Sequence, residues 1–339
     1  MNSDSLMIDA YAHISPPGYT EFIRQKYPKM YNNMLGSCLP LYNMDERFKI
    51  MDAYDGLVQV LTIGPVPPIE YFADEQQTVE LARMANDEMA ELLRKYRDRF
   101  LTAIALLPMN NPDAALEETD RAINQLGFRG IYVHTNINGK PLDSPEFIPL
   151  WEKMAKYNLP IYLHPWRSDD FTDYSVEQAS KYNIASTFGW PYETTVAMAR
   201  FVFSGILEQY PNLKIVTHHC GGMVPFYQER IYQHYGITSM RYGERSRFVR
   251  ELSKAPLEYF RMFYNDTAIH GNTYALMSAY ELCGADRIVF GVDMPLGDYY
   301  FGLRSYRQTI KAIEDMQITP EEKRKIFFDN TVSLLKIPV

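Results

Sequence analysis

The chain has 339 residues, of which 46% are hydrophobic and 22% charged, and a formal net charge of −8. Acidic and basic residues are interleaved without a long basic run, which argues against nucleic acid or an anionic membrane surface as a main partner. The length allows a sizeable core, no apolar run approaches the roughly 18–20 residues of a membrane span, and three scattered cysteines (Cys38, Cys220, Cys283) make no disulfide framework or Cys-x-x-Cys knuckle.

In chain order, short apolar runs alternate with amphipathic segments. Strands are expected at Leu6–His13, Val58–Gly64, Leu101–Leu107, Gly130–His134, Pro160–His164, Lys214–His219, Met262–Asp266 and Arg287–Asp293. Most are continuous apolar runs, as parallel strands covered on both faces require. Helices fit Thr78–Arg97, the stretch NPDAALEETDRAINQLG with Asn111 as cap and Gly127 as stop, Phe147–Tyr157 and Glu193–Gln209. Further helices fit Met223–His234, Thr273–Cys283, Gly302–Met316 and Pro320–Leu335. Eight strand–helix units predict an α/β fold of the (β/α)8 TIM-barrel type, one domain over residues 1–339. A doubly wound sheet is the runner-up, but no Gly-x-Gly-x-x-Gly follows an early strand. Spare residues fall in three insertions, about 14–46, 166–191 and 235–257, each following a strand and so expected over the catalytic mouth.

Position singles out five polar residues that close apolar strands: His13, His164, His218, His219 and Asp293. In a barrel those strand ends converge. Imidazoles plus a carboxylate suit Zn²⁺, Mn²⁺ or Fe²⁺, and three protein ligands with open positions make a catalytic site. Any one of these histidines alone is more simply a hydrogen-bonded polar residue; together they point to a metal. His134 and His234 are read as structural.

Over nearly its whole length the chain resembles the amidohydrolase-related metal-dependent decarboxylases, most closely the aminocarboxymuconate semialdehyde branch. The blocks that carry this are ALLPMNNPDAALEETDRAINQLGFRGIYVHTNING, LPIYLHPW, GWPYETTVAMARFVFSGILEQYPNLKIVTHHCGGMVPF, FYNDTAIH and FGVDMP, in the family's order. The resemblance implies one divalent metal, zinc first and manganese or iron next, held by His13, His164 and Asp293. It places the catalytic histidine, which precedes a glycine run, on His219, with Asp293 as ligand and proton relay together. Strand alternation would then turn His218 toward the helix layer.

Two positions depart from the pattern. Tyr11 stands first in the family's His-x-His pair and shares strand parity with residues 9 and 13, so it should face into the barrel. It could ligate as a phenolate, support the site as a neutral hydrogen-bonding phenol, or fill a site that has lost its metal. The family's substrate-carboxylate arginine also has no counterpart before Arg47, which reads as part of the helix in DERFKIMDAY. Arg167, beside Trp166, and Arg241, which roughly matches an arginine lent across a dimer interface, are the substitutes. Either could equally be a solvated surface arginine.

The expected activity is non-oxidative decarboxylation of a carboxylated aromatic or muconate-like small molecule by a cytoplasmic homodimer. The alternatives are metal-dependent hydrolysis of a lactone, amide or activated carbon–carbon bond, and a metal-free binding protein on the same scaffold.

Overall fold

Unbroken apolar strands need cover on both faces, and the chain provides it by following each with a helix. In the computed structural model, which describes residues 6–31, 38–64, 67–241, 252–296 and 302–338, the result is a parallel (β/α)8 barrel. The barrel strands are Met7–Ile14, Leu57–Ile63, Phe100–Ala103 continuing in Ala105–Leu106, Ile131–His134, Pro160–His164, Lys214–Thr217, Tyr264–Asp266 and Ile288–Val289. Two sheets, of three and six strands, meet where the third strand is interrupted at Ile104. The Ile104 amide donates to the Leu61 carbonyl and the Ala105 amide to the Gly130 carbonyl, so the seam is bridged. Closure comes from the amides of Ala10 and His13, which donate to the carbonyls of Phe290 (2.8 Å) and Met294 (2.7 Å). The eighth strand is thus shorter in ladder terms than the expected Arg287–Asp293, while its continuation still closes the barrel.

The helices follow the capping logic of the sequence. Asp74 caps Glu75–Lys95 with a capping box, and the Asn111 side chain accepts the Ala114 amide ahead of Pro112–Asn124. The segment expected as Glu193–Gln209 breaks into Trp190–Phe203 and Ile206–Gln209 at Gly205, whose φ of 80° lies in the left-handed region that glycine tolerates. The helix expected at Met223–His234 forms later, over Gln228–Arg241, and takes in the start of the insertion expected at 235–257. Residues 242–251 lie outside the described residues. The first insertion is not featureless: Pro17–Lys26 is helical and Leu39–Leu41 forms a 3-10 turn.

The first strand carries an irregularity that matters for the site. Asp9 pairs with Gln59 but Ala12 with Leu61, so the first strand holds one extra residue between them. Asp9 and Tyr11 therefore part company despite their shared parity. Asp9 accepts a hydrogen bond from the Tyr306 hydroxyl, on the helix Leu303–Glu314, whereas Tyr11 packs against Tyr132, Tyr162 and His218 from the fourth, fifth and sixth strands.

Candidate metal centre

The strand ends bring His13, His164, His218, His219 and Asp293 to one place. The His13 Nε2 lies 3.2 Å from Asp293 Oδ1, the His218 Nε2 3.3 Å from the same oxygen, and the His219 Nε2 3.7 Å from Oδ2. The ring centres of His13, His164 and His218 form a near-equilateral triangle of 5.2, 5.5 and 5.1 Å. His13 and His218 are completely buried, and His164 and Asp293 nearly so.

Strand alternation would turn one of the two neighbouring histidines outward, but His218 does not pack against the helix layer. The strand ladder ends at Thr217, and His219 and Cys220 both adopt left-handed backbone with φ of 55°. That turn returns the second imidazole to the side already taken by the first, with ring centres 3.9 Å apart. Such backbone is uncommon away from glycine and needs surrounding support. Asp266, closing the seventh strand, supplies it. Its Oδ1 accepts the amides of Cys220 (3.0 Å) and Ala268 (3.1 Å), and its Oδ2 takes the His218 Nδ1.

His13 is held with similar care. Its Nδ1 is 3.1 Å from both the Ile63 carbonyl and the Thr62 hydroxyl, and its own carbonyl accepts Arg47 Nη1 at 2.7 Å. Gly64 is required beside it, because a Cβ there would stand 2.5 Å from the imidazole Nδ1. Arg47 belongs to the helix Met44–Met51 as expected, and it is fully buried, bonded also to Gln59. It props the first strand from behind.

The electrostatics divide the imidazoles. Burial disfavours the His218 cation, yet Asp266 and then Asp293 outweigh it and push its pKa up to about 10. Burial holds His164 well below the usual histidine range, helped by His218, His13 and the other imidazoles. His219 is lowered by burial and by His218, against the pull of Asp293. Burial would raise Asp293, but the His13, His218 and His219 imidazoles facing its oxygens hold it well below the ordinary carboxylate range. Tyr11 goes the other way: burial, then Tyr132 and Asp266, hold its proton on.

The donor set fits a divalent cation. Among the described residues of the cluster, His13 Nε2, His218 Nε2, His219 Nδ1 and the Tyr11 hydroxyl are buried without a hydrogen-bond partner, and the first two nitrogens face the Asp293 carboxylate. Orphaned buried nitrogens of this kind are rare unless something else satisfies them. Imidazole and carboxylate donors suit zinc, manganese or iron.

The remaining sequence candidates are placed as follows. Tyr11 is fully buried and stacks on His218, ring centres 4.1 Å apart and planes 16° from parallel. Trp166 stands one residue removed from the cluster, 6.5 Å ring to ring from His134, which in turn lies 5.7 Å from His164. Arg167 is paired with Glu193 at 2.9 Å and lies over the Phe171 ring, so its charge is already matched. Arg241 ends the helix Gln228–Arg241, with its side chain outside the described residues. Trp190 and Asp266 were not singled out from the sequence. Trp190 stacks beside His219 at 6.3 Å and stands 5.7 Å from the His164 ring. Asp266 was legible in principle, as the acid ending an apolar strand in FYNDTAIH.

A closed parallel barrel with imidazoles and a carboxylate at the strand ends is the framework of a metal-dependent enzyme. The amidohydrolase family model matches residues 40–337, and the chain belongs to that family. It is 34% identical over 260 residues to a gamma-resorcylate decarboxylase of a Rhizobium species, covering 74% of this chain and 76% of that one. It is 28% identical over 341 residues to the 2-amino-3-carboxymuconate-6-semialdehyde decarboxylase of Dictyostelium discoideum, with coverage of 94% and 89%. Among solved structures, a 2,6-dihydroxybenzoate decarboxylase complexed with 2,6-dihydroxybenzoate superimposes with a TM-score of 0.79 at 27% identity, over 98% of this chain and 100% of that chain. A dihydroxybenzoic acid decarboxylase from a Polaromonas species, with bound manganese and 2-nitroresorcinol, gives 0.78 at 26% identity over 98% and 97%.

Proposed function

We propose that the protein is a metal-dependent, non-oxidative decarboxylase of a carboxylated aromatic small molecule. The observation that carries this reading is the convergence of His13, His164, His218, His219 and Asp293 at one end of the barrel. It stands in a chain that matches several decarboxylases in sequence and in structure.

A divalent cation held among His13, His164 and Asp293 would supply Lewis acidity toward a substrate carboxylate or neighbouring hydroxyl. His219 sits at the rim of the cluster, its Nε2 facing the Asp293 Oδ2, and carries the proton to the ring carbon that bears the carboxylate. Asp293 balances the imidazolium while it carries the proton, and the neutral imidazole left after transfer takes its next proton from solvent. With that carbon protonated, the bond to the carboxylate breaks, its electron pair restores the aromatic ring, and CO2 leaves. Trp190, near-parallel to the His219 ring, offers a flat apolar surface suited to an aromatic substrate, with Trp166 edge-on to His134 nearby.

Zinc is the first choice for the cation on donor chemistry, with manganese and iron next. The three cysteines are free, which suits a reducing cytoplasm. Exposed aromatics in and beside the insertions, including Phe171, Tyr174, Phe188, Phe226 and Tyr232, suit a homodimer interface. Light scattering in solution checks that: twice the 39.4 kDa chain mass is expected.

The test of the reaction is a panel of hydroxylated benzoates and carboxymuconates, assayed anaerobically for CO2 beside lactones and amides assayed for acid. Release of CO2 without an oxidant is expected. Acid release with no CO2 would replace this reading with hydrolysis.

A further inference from the structure

We propose that His218 is a ligand of the metal, filling the coordination position for which Tyr11 is the sequence-order candidate, so that the cation is held by His13, His164, His218 and Asp293. The inference rests on the metal-dependent reading above.

Three observations support it. The first is tautomeric. In each imidazole Nδ1 is committed to an oxygen: His13 to the Ile63 carbonyl, His164 to the Pro165 carbonyl at 2.8 Å, and His218 to Asp266. Each ring therefore presents Nε2, and a histidine ligand ordinarily has its other nitrogen held in just this manner. His218 has the strongest such partner, a buried carboxylate that two backbone amides also fix.

The second is metric. Donors at about 2.0–2.1 Å around an ion that keeps a further position open for substrate lie roughly 2.9–3.6 Å apart, and imidazole ring centres about 4.5–5.5 Å apart. The His13 and His218 nitrogens stand 3.2 and 3.3 Å from the Asp293 oxygen, and the three ring centres are 5.1–5.5 Å apart.

The third concerns the tyrosine. Its ring lies flat on the His218 imidazole. In that place it fixes the plane of the neighbouring ligand, and it is a positioning residue. Asp293 then divides its oxygens, Oδ1 toward His13 and His218 and Oδ2 toward His219 at the longer distance of 3.7 Å. His219, though near both His218 and Asp293, is left for proton transfer.

The test is metal binding by the purified full-length protein, stripped with a chelator and titrated with Zn²⁺ against a competing indicator. Wild type should bind one equivalent. Y11F should retain it with a dissociation constant within a few fold, whereas H218A should weaken it by about 100-fold or more, beyond the 10–100-fold typical of an outer-shell partner. Circular dichroism checks the fold of both. A second measurement needs no variant: Fe³⁺-loaded wild type should lack the visible phenolate charge-transfer band that a tyrosine ligand produces. That band, or metal retained by H218A and lost by Y11F, would overturn the assignment of His218. No metal bound by wild type would instead overturn the metal-dependent reading itself.

Discussion

The imidazole of His219 differs from its neighbours in what it faces. His13 and His218 converge on Asp293 Oδ1, while His219 meets Oδ2 at the longer distance of 3.7 Å and is the more exposed, beside Trp190. A residue so placed can exchange a proton with a substrate without leaving the metal short of a donor. His219→Ala should therefore leave metal content at one equivalent, measured by elemental analysis, and lower turnover by a factor of about 10² or more. Unchanged turnover would remove His219 from the chemistry. The sequence alone separates His218 from His219 wrongly, because alternation holds only while the strand continues. The left-handed backbone at His219 and Cys220, supported by Asp266 from another strand, is a tertiary effect that neighbouring residues do not announce.

At the scale of elements, the parallel strands were the most legible feature, since Pro160–His164 or Leu57–Ile63 can be little else than buried strand. Their ends were less so. The extra residue between Asp9 and Ala12 sends Asp9 toward Tyr306 and Tyr11 toward the cluster, a separation that parity does not forecast. The short helix Ile69–Phe72 shows another hidden term. Its Glu70 is buried, accepts the Met109 amide at 2.7 Å, and has its pKa pushed up to about 7 by burial, which the backbone amides only partly offset. Between about pH 4.5 and pH 7 the folded chain keeps a proton at Glu70 that the unfolded chain releases. Stability from this group is therefore full below that window and declines as pH rises through it, by about 3 kcal/mol in total. Glu70→Gln keeps an acceptor for Met109 and removes the decline. Thermal melts should coincide near pH 4.5, with the variant progressively more stable toward pH 8. Parallel melting curves across that range would show that Glu70 ionises normally.

For the whole molecule, the barrel serves to gather residues distant in sequence. His13 and Asp293 are 280 positions apart, yet the first and eighth strands are neighbours once the Ala10 and His13 amides find the carbonyls of Phe290 and Met294. Closing the barrel and assembling the site are one event, so a cation bound among these ends should also stabilise the fold. The central claim is that this cation and these strand ends together perform decarboxylation. The most direct measurement is CO2 release from hydroxylated benzoates by enzyme as purified, after chelation, and after restoring Zn²⁺ or Mn²⁺. Release that vanishes with the metal and returns with it is predicted; release at an undiminished rate from metal-stripped protein would contradict the account.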